Sequence, residues 1–174
     1  MTFGWPPGWN PLPAKGFARV LSNLALAGCA LSVLVHLITL LGVYSKAIFN
    51  FQMGLFVAAF PMSLPILFAQ SRLMSALSAG DRLRLFDPKH NSMIREKIML
   101  GNTPAWLRKL FSALLYYFVV FFVVFTYRTF PNKNTSELLE VQMFSIGAAV
   151  FYSAIAALLT SYAGTDHPLT LDEI

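Results

Sequence analysis

Charge is missing from this chain wherever it is most apolar. Four stretches, Val20–Tyr44, Phe51–Gln70, Leu110–Tyr127 and Val141–Ala163, contain no Lys, Arg, Asp or Glu. They run from 18 to 25 residues, and a helix rising about 1.5 Å per residue needs about 20 to cross the hydrocarbon core of a bilayer. The whole chain is 12% charged and 56% hydrophobic, whereas a soluble domain carries about 25% charged residues. The expected fold is an all-α integral membrane protein, a four-transmembrane-helix bundle with a short amphipathic helix in one loop. It forms a single membrane domain over 1–174, with spans at about 17–44, 51–70, 108–127 and 137–163 and a long loop over 71–109.

Cysteine is nearly absent as well. Cys29 stands alone, which excludes an intramolecular disulfide and a CxxC redox pair. Leu26-Ala27-Gly28-Cys29 has the form of a lipoprotein cleavage box, with Lys15 and Arg19 as a basic leader. Asn23 interrupts the apolar run before it, however, and the run continues to Gly42, where a mature lipoprotein turns polar. The same residues read better as a packing surface.

Paired acids and catalytic motifs are also lacking. No HExxH, GxSxG or aspartate dyad occurs. Membrane hydrolases and transferases need carboxylates, or a nucleophile with its base, at the interface. Here Asp81 and Asp87 fall in the loop, and Glu137 and Glu140 precede the charge-free stretch Val141–Ala163. No chain of acids or bases runs through a span to carry ions. His36 is the exception among ionisable groups. It lies roughly 7 Å outward of its helix midpoint by the helical rise. A neutral imidazole there can bond a Ser, a Thr or a backbone group of a neighbouring helix. It can also ligate haem iron or a chlorophyll-like magnesium, or bond a quinone carbonyl. Bis-histidine haem needs a second intramembrane His, and His90 and His167 fall outside the spans.

The charge that is present is basic, net +5, and its placement is topological. With four spans, the N-terminal side and the long loop share ten Lys and Arg, against three (Lys46, Arg128, Lys133) opposite. The positive-inside rule places the N- and C-termini and the long loop in the cytoplasm, for a multi-pass protein of a bacterial inner membrane. No RNP, helix-turn-helix or zinc-finger pattern calls for nucleic acid.

Along the chain, residues 1–13 are proline-rich and carry Trp5 and Trp9, an extended tail suited to the membrane interface. In the first helix, Ser22, Ala25, Cys29, Ser32, His36 and Thr39 follow a 3-4 spacing. With Gly28 they make one small, mildly polar face. Pro61 and Pro65 predict a kink near Ala58–Phe60 in the second. In the loop, Asn91 or Ser92 caps a short amphipathic helix through Leu100, and Thr103-Pro104 reads as N-cap and N1 of the third span. Arg82, Arg84, Lys89, Arg95, Lys97, Trp106, Arg108 and Lys109 form a surface for anionic headgroups or a partner, at about 1 kcal/mol per basic residue.

The third helix is aromatic all round, fit for lipid, a quinone, a carotenoid or a chlorophyll-like pigment. In the fourth, Ser145, Ala149, Ser153, Ala157 and Ser161 recur every fourth residue as a small-residue ridge. Asn134 with Glu137 resembles its capping pair. These features predict a non-catalytic subunit that scaffolds or stabilises a larger membrane complex by helix packing and requires no cofactor. The alternatives are a small homo-oligomeric transporter or channel, or a quinone- or pigment-binding subunit using His36.

Overall fold

The computed structural model describes residues 15–76, 103–129 and 136–164. These form four helices: α1 (Lys15–Leu40), α2 (Lys46–Ala76), α3 (Ala105–Thr129) and α4 (Glu137–Gly164). Each is long and apolar enough to cross a membrane.

Side-chain ties fix the topology. On α1, Ser22 meets Ala156 and Thr160 of α4, while His36 meets Gln142 and Ser145, so the two helices are antiparallel. Gln52 of α2 reaches Phe144, and Leu55 receives Tyr152, so α2 and α4 share a direction. Thr103, just before α3, bonds Ala157, and Phe118 lies against Gly147, so α3 opposes α4. The result is an up-down-up-down bundle with α4 at its centre. α4 packs against all three other helices, and most extensively against α1.

The physical reason is side-chain size. In lipid, hydrophobicity does not drive helices together, and small residues that allow close backbone approach do. Ser145, Ala149, Ser153, Ala157 and Ser161 of α4 are all buried, as are Ser22, Ala25, Gly28, Cys29, Ser32, His36 and Thr39 of α1. The two small faces are thus turned toward the inside of the same molecule. The closest approach is at Gly28, where an added Cβ would stand 2.7 Å from Cε1 and Cζ of Tyr152. Over half of the most apolar stretch of α4 is buried (56%), and none of that of α3; Leu107, near its start, is the buried residue of α3, so α3 is peripheral.

Helix ends differ from the sequence expectation, and each difference has a local cause. α1 stops at Leu40 rather than running to Tyr44. Gly42 takes φ 81° and closes a Schellman cap, with its N–H on Thr39 O at 3.0 Å and that of Val43 on Ile38 O at 3.3 Å. Ser45 caps α2 through Ile48 N–H at 3.2 Å, so that helix begins at Lys46. α2 continues through Pro61 and Pro65 to Ala76. The cap of α4 is Ser136, whose Oγ accepts from Leu139 N–H at 3.3 Å; Asn134 lies outside the described residues. α3 begins one residue later than expected, because Pro104 O accepts the first helical bonds, from Leu107 and Arg108. Thr103 does not cap it but donates its hydroxyl to Ala157 O at 2.9 Å, tying the start of α3 to α4. The amphipathic loop helix over 91–100 falls outside the described residues, as do both tails.

Candidate functional site

The densest polar cluster in the described structure gathers at His36. With α1 ending at Leu40, this histidine is four residues, about 6 Å, from the helix end. It is about 12 Å from the midpoint of the Gly16–Leu40 span, nearer the helix end than the roughly 7 Å expected. The difference follows from the Gly42 cap.

His36 Nδ1 lies 3.0 Å from both Gln142 O and Ser145 Oγ on α4, and Nε2 lies 3.0 Å from the Tyr117 hydroxyl on α3. A carbonyl can only accept, so the proton belongs on Nδ1, shared between Gln142 O and Ser145 Oγ. Nε2 then accepts from the Tyr117 O–H. Further bonds close the cluster. Ser145 Oγ donates to Gln142 O at 2.9 Å, Gln142 Nε2 to Thr39 O at 2.8 Å, and Thr39 Oγ1 to His36 O at 2.8 Å. Phe121 covers the imidazole edge-on with centroids 5.3 Å apart, and stacks on Tyr117. One neutral imidazole therefore ties three helices together. Ligation of a metal through Nε2 would displace Tyr117, so a ligand at His36 would compete with the α1–α3 tie.

Beyond the end of α1, Tyr44 donates its O–H to Glu137 Oε2 at 2.5 Å, clasping the α1–α2 turn to the start of α4. That bond to Glu137, with desolvation and the charges of Glu137 and Glu140, pushes the Tyr44 phenol above its ordinary range. Among the described residues no three His, Cys, Asp or Glu come together to hold a metal ion. Cys29 is buried.

Of the residues expected to dock headgroups or a partner, Trp106 and Lys109 are exposed and Arg108 is half-buried; Arg82, Arg84, Lys89, Arg95 and Lys97 lie outside the described residues. The expected bond from His36 to a Ser or a backbone group of a neighbouring helix is present, at Ser145 Oγ and the Gln142 carbonyl; the Tyr117 partner was missed. The Gln142 carboxamide, a polar group in an otherwise apolar run, signalled a different tie, its bond to Thr39 O. Tyr117 carried no signal, being one aromatic among many. Comparison with protein-family models, with curated proteins and with solved structures finds no match.

Proposed function

We propose that this chain is a non-catalytic membrane subunit that holds a larger membrane complex together by helix packing, with α3 as the partner-facing helix. Tyr116 carries this reading. It is 75% exposed, and it sits at the midpoint of the Ala105–Tyr127 span, eleven residues or about 16 Å from either end. That distance is beyond the reach of a phenol seeking water. A hydroxyl left without a partner in hydrocarbon costs roughly 4–8 kcal/mol on the cyclohexane scale, and Tyr116 bonds no other described residue. A helix from another subunit supplying a Ser, Thr, Asn or Gln side chain resolves that cost.

The shape of α3 supports the same reading. Ala113, Tyr116, Val120, Val123 and Tyr127 are all exposed and follow the 3-4 spacing of a helix-packing seam along most of the helix. The small faces of α1 and α4 do not contribute, since they are consumed within the chain. The basic-residue asymmetry supports a cytoplasmic side for the loop between α2 and α3 and for both termini, in what we read as a bacterial inner membrane. The role requires no cofactor.

Purification from its native membrane in mild detergent, with mass determination, tests the proposal. Stoichiometric foreign subunits are expected, and Tyr116→Leu should reduce their retention. A clean homo-oligomer would overturn the reading in favour of a small homo-oligomeric transporter or channel.

A further inference from the structure

Between the end of α1 and the start of α2 lies a groove of about 430 Å³, lined by Leu31, Leu34, Val35, Ile38, Ala47, Ile48 and Phe51. We propose that it binds one acyl chain of an anionic phospholipid, with the headgroup phosphate held at Lys46. The site involves α1 and α2, and so stands independently of the assembly reading of α3.

Three observations select a lipid. First, every lining side chain is apolar, and Leu31, Leu34 and Phe51 are exposed. An apolar chain can therefore enter sideways from the bilayer without stranding a polar group. Second, the groove spans Leu31 to Ile38 on α1, about 10 Å along the axis. It stops just below the helix end, within the roughly 15 Å of one hydrocarbon leaflet. That is the depth of the upper part of an acyl chain, and it is too short for a transmembrane helix. The lining also lacks the small residues of a helix-packing seam, Ala47 apart; a helix of another subunit or of a second copy fits poorly.

The third observation is charge. Lys46 is exposed and adjoins the groove residue Ala47 at the first turn of α2. A cation there faces the positive end of the helix dipole, an unfavourable arrangement that a phosphate between them reverses. Ser45 caps only Ile48 N–H, which leaves the Lys46 and Ala47 amides to donate to the same phosphate. A lipid lying with its phosphate at Lys46 and one chain descending toward Leu31 has the orientation that the bilayer imposes.

The test is native mass spectrometry of the full chain in mild detergent, titrated with phosphatidylglycerol or phosphatidylcholine. The wild type should retain one phosphatidylglycerol in preference to phosphatidylcholine. Lys46→Gln should lower that preference about fivefold, the equivalent of about 1 kcal/mol for one basic residue at the surface. Ala47→Trp and, from the opposite wall, Leu34→Trp fill the groove and should lose the bound lipid while helicity by circular dichroism is unchanged. The proposal is overturned by a wild type that retains no lipid or prefers phosphatidylcholine. It is equally overturned if Lys46→Gln leaves the preference intact, if both folded tryptophan variants keep the lipid, or if they instead turn a dimer into a monomer.

Discussion

Replacing Gly28 with alanine is a stringent perturbation of this bundle, because the space for the methyl group is already occupied. The new Cβ would lie 2.7 Å from two atoms of the Tyr152 ring and 2.9 Å from a third. Comfortable carbon contact begins near about 3.5 Å, so the ring must retreat by about 0.8 Å. It is not free to do so: the residue is 2% exposed, and its hydroxyl donates to Leu55 O on α2 at 2.6 Å. Overpacking a core costs about 1–3 kcal/mol, and loss of the Leu55 bond about 0.5–1.5 kcal/mol. Against these stands the gain of about 1 kcal/mol from alanine over glycine in a helix. The net expectation is a loss of roughly 0.5–3.5 kcal/mol. It is read as a shift in the unfolding curve when the protein in mild-detergent micelles is titrated with a denaturing detergent and followed by circular dichroism. Tyr152→Leu should relieve the clash, so the double variant should be less destabilised than the sum of its parts, with a coupling of at least about 1 kcal/mol. A Gly28→Ala variant within about 0.5 kcal/mol of wild type, or strict additivity with Tyr152→Leu, would refute the α1–α4–α2 contact as described.

Other predictions follow from the polar contacts. Nitrogen-15 spectra should show His36 protonated on Nδ1 and bare on Nε2 at neutral pH; the opposite tautomer contradicts the assigned network. Tyr117→Phe should cost about 0.6 kcal/mol, the average for an interhelical bond in a membrane, and His36→Ala more, since it strands the Tyr117 hydroxyl and opens a cavity. The two buried glutamines should behave oppositely. Gln142 bonds Thr39 O at 2.8 Å, so Gln142→Leu destabilises; Gln52 makes only a 3.5 Å contact and its Oε1 has no partner among the described residues, so Gln52→Leu should be neutral or stabilising. Finally, the Tyr44 phenol is raised in the folded protein. Its contribution is therefore fully present below the unfolded phenol pKa of about 10 and is lost as pH rises through the higher folded value. The stability difference between wild type and Tyr44→Phe should vanish at strongly alkaline pH, and a difference that grows there would contradict the clasp.

How much of this was legible depended on whether a feature is periodic. The buried faces of α1 and α4 could be read from residue spacing, because in lipid small and polar side chains mark contact as leucines do in water. Nothing in that spacing says whether the contact lies within one molecule or between two; only the pairing of Ser22 with Ala156 and of His36 with Gln142 settles it. Helix ends were harder, because caps depend on single residues. An apolar run extends through Leu41, Val43 and Tyr44, and it hides the positive φ that Gly42 supplies. Ser136 and Asn134 are both good capping types, so residue type alone does not fix where the helix starts.

The same logic sharpens what an exposed polar group means in this protein. The polar residues on the small-residue faces of α1 and α4 are all buried, and most find a partner there, as helices in a bilayer require. Tyr117 follows the rule by turning its hydroxyl to His36. Tyr116, its immediate neighbour in sequence, lies about 100° further round the helix and faces away from the bundle. Two adjacent tyrosines at one depth thus differ only in what stands opposite them, and the one with a described partner uses it to join three helices. If the other faces only lipid, Tyr116→Phe should leave the isolated chain unharmed and change nothing in its assembly. If it faces a partner helix, the same substitution should leave the isolated chain unharmed and weaken the assembly by about 0.6 kcal/mol, up to about 1.7 kcal/mol. Measuring stability and assembly on that one variant separates the two cases without the partner being known beforehand.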